Sequence, residues 1–79
     1  MTIDRDGGPP PWMQLAAILR GRITSGELSG LLPSEKRLGQ EYGVAVGTVR
    51  KAIARLRDEG LVYTERGWGT FTTPPAGHE

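Results

Sequence analysis

Between Val44 and Arg57 the chain carries Arg50, Lys51, Arg55 and Arg57 with no acid among them. The chemistry open to such a run is the binding of a polyanion, through guanidinium and ammonium groups that donate to anionic oxygens. The acids lie elsewhere: Asp4, Asp6, Glu27, Glu35, Glu41, Asp58, Glu59, Glu65 and Glu79. Formal net charge is only +1, so the distribution of charge, not its sum, points to one oriented basic face. Other chemistries lack their residues. There is no cysteine for a disulfide, a thiolate nucleophile or a zinc site. The one histidine, His78, sits in a Pro/Gly-rich tail. No paired carboxylates share a helix face and no nucleophile neighbours a base, so neither an enzyme nor a cofactor or metal site is expected.

The stretch that leads into the basic run, "EYGVAVGTVRKAI" from Glu41 to Ile53, poses a physical question. Glycine costs about 1 kcal/mol relative to alanine inside a helix, and valine is also disfavoured. A helix that begins on such residues needs slim side chains because something lies close to its start.

The elements that must carry these residues follow from caps and periodicity. Residues 1–10 are polar, then Gly- and Pro-rich, and read as an unstructured lead-in. The last proline can open a helix, where its missing N–H is no loss. Trp12, Leu15, Ile18, Leu19 and Ile23 keep a helical period until Ser25-Gly26. "GELSGLLP" reads as a loop with a short extended piece at Leu31-Leu32, since the residue before Pro33 avoids the helical region. Ser34 is suited to cap a second, short helix that ends at Tyr42-Gly43. A third helix is expected from about Val46 to Glu59, with Val49, Ala52, Ile53 and Leu56 on its inner face and Gly60 closing it. Two strands, Leu61 to Thr64 and Thr70 to Thr73, then flank a turn that needs the positive φ of Gly67 and Gly69. The final residues, 74–79, read as a frayed tail.

Seventy-nine residues, 37% hydrophobic and 24% charged, make one small domain with a modest core, here residues 11–73. No apolar stretch is long enough to cross a bilayer, and the N-terminus lacks the layout of a secretory signal, so a cytoplasmic location and no membrane partner are expected.

Helix, short helix, three-residue turn at Tyr42-Gly43-Val44, longer helix, hairpin: the order is that of a mainly α (α+β) winged helix-turn-helix. At about 100° per residue, Val46, Gly47, Arg50 and Ala54 fall outward, with Lys51 beside them and Thr48 and Arg55 on a flank. The expected partner is double-stranded DNA. Arg50 is read as the chief base contact. Ser34, Lys36 and Arg37 are expected to brace the second helix against the backbone, with Thr48, Lys51 and Arg55 on phosphates. Val46 and Gly47 allow close approach at the groove, and Arg66, Gly67 and Trp68 form a wing tip near the minor groove or phosphates. Trp68 is expected to be exposed. The alternatives from the same residues are an architectural, excisionase-like DNA binder and a protein-interaction module anchored by Trp68.

The sequence also resembles the GntR-type regulators. The resemblance rests on "LPSE" at Leu32 to Glu35, Leu38, Gly43-Val44, "TVR" at Thr48 to Arg50, "EGLV" at Glu59 to Val62 and "GWGTF" at Gly67 to Phe71, with "QLAAILRGRI" and "SGEL" before them. It covers about Pro10 to Phe71. It implies a winged helix that binds a palindromic operator as two copies and usually represses transcription, with contacts at Lys36, Thr48, Arg50 and the wing around Gly67. Ala45 and Val46 stand where this family typically has Ser-Arg, Trp68 stands at a site that is often polar or basic, and the loop before Pro33 is short. The family's C-terminal effector domain is not in the sequence, so no small-molecule effector is expected for this chain. It is read as a free monomer that pairs on DNA.

Overall fold

In the computed structural model, which describes residues 3–4 and 6–73, α1 spans Pro11–Thr24, α2 Glu35–Tyr42 and α3 Val46–Asp58, followed by strands β1, Val62–Glu65, and β2, Gly69–Thr72. Pro11 occupies the first turn of α1, where its absent N–H costs nothing. The Ser34 hydroxyl accepts from the Arg37 N–H at the start of α2. Gly43 ends that helix at φ 69°, in the left-handed region. The turn before α3 is Gly43 to Ala45, one residue later than expected, because Tyr42 completes α2 and Ala45 takes the N-cap place.

Burial follows the helical period. Leu15, Ala16 and Leu19 of α1, Leu38 of α2 and Val49, Ala52, Ile53 and Leu56 of α3 form the core, joined by Ile3, Leu32 and Val62. Burying each of the leucines contributes on the order of 1.5–3 kcal/mol. Residue 39 shows how tightly α2 meets the turn. A Cβ there would lie 2.7 Å from the Val44 carbonyl oxygen, while the Val44 N–H donates to the Gly39 carbonyl at 2.9 Å.

The hairpin is antiparallel, with Val62 opposite Thr72 and Glu65 opposite Gly69. Its strands therefore sit one residue nearer the tip than expected. The reason lies at the end of α3, where the Leu61 N–H is spent on the Leu56 carbonyl at 3.0 Å and Gly60 turns the chain at φ 79°. The extended piece before Pro33 pairs with the far edge of β2: Leu31 bridges Phe71, the Leu32 N–H donates to Thr70 at 2.8 Å and the Thr72 N–H to Gly30 at 2.9 Å.

Residues 3–4 and 6–10 differ from the unstructured lead-in expected for them. Ile3 is buried in the core. The Asp4 N–H donates to the Gln14 side chain at 2.6 Å, and the Gln14 amide donates to the Pro9 carbonyl at 2.7 Å. The Asp4 carboxylate accepts from the Asp6 N–H at 3.0 Å, an Asx turn that gives polar sequence a fixed shape. The tail expected to fray, 74–79, lies outside the described residues.

Charged ties hold the helices together. Glu59 accepts from Arg20 of α1 at 2.7 Å and from Arg55 at 3.1 Å. The Arg20 bond above all holds its carboxyl at about 2, well below the ordinary value. Arg22 of α1 reaches the Tyr42 hydroxyl, Glu41 and Glu27.

Two substitutions test the joint between α2 and α3. Gly39→Ala forces strain of about 1–3 kcal/mol that outweighs the gain of about 1 kcal/mol in helix propensity, and urea unfolding is expected to show net destabilisation. Ala45 has extended backbone but no capping side chain, so Ala45→Ser is expected to stabilise the domain by about 1 kcal/mol in the same measurement.

Candidate nucleic-acid interface

The exposed start of α3 presents little side chain. Val46 is 37% exposed, Gly47 is exposed, and a Cβ at residue 47 would meet nothing within 4 Å. Internal packing therefore does not require glycine at 47. Thr48, half-buried, donates its N–H to the Ala45 carbonyl at 3.0 Å.

One turn on, Arg50 is exposed and not free. Its guanidinium binds Glu35 of α2, with Nη2 at 3.0 Å and Nε at 3.3 Å from Oε1. This bond raises the arginine pKa further above its ordinary value, so the group stays charged. Exposed ion pairs are weak, and an incoming anion or base edge can compete for Arg50. Nothing in the sequence marks Glu35 as the partner of Arg50. The spacing of 15 residues hides the pair, which exists because the short turn sets α2 across α3.

The remaining cations of α3 are also engaged. The Lys51 ammonium lies 4.9 Å from the centre of the Trp12 ring, a cation–π contact. Arg55 is tied to Glu59, and Arg57 donates to the Thr64 hydroxyl of β1 at 3.1 Å. The run of cations is thus spread around the helix and joined to α1, α2 and the wing. It is not one continuous free stripe. Among the described residues, Lys36, Arg37 and Arg66 have exposed side chains with no ion-pair or hydrogen-bond partner. Free positive charge lies at the start of α2 and on the wing. The Ser34 hydroxyl is committed to its cap.

At the wing tip Gly67 has φ 84° and Gly69 φ 124°, and the Trp68 N–H donates to the Glu65 carbonyl at 2.9 Å. Trp68 is 77% exposed, as expected, and Leu31 beside it 58%. A groove of about 380 Å³ runs from Trp68 and Leu31 past Pro33 to Ser34 and Glu35. It brings together the wing tip, the start of α2 and, through Glu35, Arg50. Lys51 and Arg55 are turned to α1 and Glu59.

Comparison with known proteins agrees with the fold. The pattern of the bacterial regulatory proteins of the gntR family matches residues 13–72. The HTH-type transcriptional repressor NagR of Bacillus subtilis (strain 168) is 36% identical over 77 residues, covering 95% of this chain and 32% of NagR. The chain spans about a third or less of the length of the curated relatives it matches. Among solved structures, AraR(DBD) in complex with operator ORE1 superposes with a TM-score of 0.78 at 35% identity, covering 84% of this chain and 83% of that one. YtrA from Sulfolobus acidocaldarius, a GntR-family transcription factor, gives 0.84 at 30% identity, covering 95% and 81%. With the winged helix-turn-helix architecture and a family match over nearly all of the described residues, this chain belongs to the gntR family of bacterial regulatory proteins.

Proposed function

We propose that this domain binds double-stranded DNA in a sequence-specific manner and acts as a transcriptional repressor in the cytoplasm. It reads a palindromic operator as two copies that are separate monomers in free solution. The observation that carries the reading is the groove that links the wing tip to the start of α2, where Glu35 holds Arg50 of α3. The likeness to AraR(DBD), described in complex with an operator, and to the repressor NagR supports it. Among the described residues, no helix is long and apolar enough to cross a membrane.

The start of α3 enters the major groove, where the exposed Val46 and Gly47 permit close approach and Val46 meets a thymine methyl group. Arg50 exchanges Glu35 for a guanine edge, or shares the two, and fixes one base pair. Lys36, Arg37 and Arg66 supply phosphate contacts and so register and affinity, with Thr48 on the flank and Gly67 bringing the wing backbone close; Ser34 can only donate its hydroxyl hydrogen beside its cap, and Lys51 and Arg55 contribute only by leaving Trp12 and Glu59 for a phosphate. The apolar faces of α1 and α3 are consumed by the core, which favours a free monomer.

Selection of bound sequences from a random DNA pool tests this reading. An enriched motif with two-fold symmetry is expected, bound by two protomers, with a single monomeric species when the free protein is sedimented. Failure to enrich any motif rejects specific binding. On the selected site, Arg50→Ala is expected to weaken binding about ten- to a hundredfold and relax preference at one base pair. Equal weakening on random DNA would instead make Arg50 a phosphate contact. Val46→Arg is expected to leave the fold intact and steepen the salt dependence by roughly one unit of counterion slope, read from affinities across a salt series.

A further inference from the structure

We propose that Trp68, backed by Leu31, is an apolar wedge that enters the DNA minor groove and opens a base step, so that this domain bends the DNA it binds. The inference rests on the DNA-binding reading and deepens it. Trp68 is the most exposed large hydrophobic residue of the domain at 77%, although a tryptophan side chain has some 150–250 Å² to bury. The exposure is built in and does not come from a loose loop. The Trp68 N–H is bonded to Glu65 at 2.9 Å, and both flanking glycines hold positive φ. A Cβ at residue 69 would lie 2.9 Å from Leu31 Cδ1, so the tip rests directly on Leu31. Leu31 is in turn bridged to Phe71 of β2. The turn that carries the indole is thus braced against Leu31.

Its occupant follows from place and charge. The groove bordered by Trp68 and Leu31 leads to Ser34 and Glu35, and Glu35 holds Arg50, so the tip extends the surface that meets DNA. The formal charges nearest the tip, Glu65 and Arg66, cancel. Arg66 is left for a phosphate, and what Trp68 itself offers is an apolar plane with one N–H donor. The minor groove is roughly 6 Å wide and lined by adenine N3 and thymine O2 acceptors. Apolar side chains inserted there unstack a step and kink the duplex by roughly 20–90°. Pyrimidine–purine steps open most easily, so the wedge adds sequence preference where no base edge is read.

Energy transfer between dyes at the two ends of the selected site tests the wedge, with bending and affinity measured on the same DNA. The wild type is expected to shorten the end-to-end distance and to favour TA or CA steps under the wing. Trp68→Ala, an exposed change that leaves thermal unfolding unaltered, is expected to keep the α3 motif, lose the bend and the step preference, and bind about tenfold more weakly. Trp68→Lys is expected to recover affinity at low salt while the DNA stays straight. Arg50→Ala is expected to keep the bend at saturating protein. A selected site bound straight by the wild type, or bent equally by Trp68→Ala, overturns the wedge and leaves the DNA-binding reading standing. If no site is enriched, both fall together.

Discussion

The joint between α2 and α3 closes only because residue 39 has no side chain. A Cβ there would sit 2.7 Å from the Val44 carbonyl oxygen, and the turn relies on the bond from Val44 back to the Gly39 carbonyl at 2.9 Å. Gly43 adds the left-handed residue that lets the chain reverse within three positions. From this contact the crossing of the two helices follows. The crossing lets Glu35 reach Arg50 and sets Val49, Ala52, Ile53 and Leu56 where α1 can cover them. A side chain at 39 would prise α2 and α3 apart.

The charges divide into two kinds. Arg20, Arg22, Arg55 and Arg57 act as ties that hold α1, α2 and the wing around α3. All but the part-buried Arg22 are exposed enough that their net worth is small, but together they orient surfaces that a core of so few residues fixes weakly. The untied cations, Lys36, Arg37 and Arg66, sit at the margins of the proposed interface. Nonspecific attraction is thus placed at the edges, where phosphates run, and the centre is left to short-range contacts.

The helices were legible because each carries local punctuation. Pro11, Ser34, Gly43 and Gly60 mark ends by backbone chemistry alone, and the apolar period identifies the buried faces. The hairpin was legible from Gly67 and Gly69, to within one residue. What escaped the reading depends on contacts between distant positions. Arg20 and Glu59 are 39 residues apart and Arg50 and Glu35 are 15 apart, so no spacing rule joins them. The burial of Ile3 was hidden for the same reason: one isoleucine among polar, Gly- and Pro-rich residues has no period. The Arg55–Glu59 pair is the exception, since its i, i+4 spacing is a readable helix-surface pair. Reading the cations as one stripe passed over it.

The interface pairs a slender helix start with a bulky wing tip. Val46 and Gly47 leave few hydrogen-bonding groups at the mouth of α3, so on the proposed reading direct readout by that helix falls chiefly on Arg50, and even Arg50 is shared with a carboxylate. Such a surface discriminates few base pairs by edge contacts. Trp68 stands at the opposite limit, a large rigid plane that is 77% exposed. As the proposed wedge, its contact area is indifferent to base edges and responsive to how easily a step opens. If the two act on one site, part of the specificity moves from hydrogen bonds at the helix to deformability under the wing. The few residues at the start of α3 can then be small without making the domain indiscriminate.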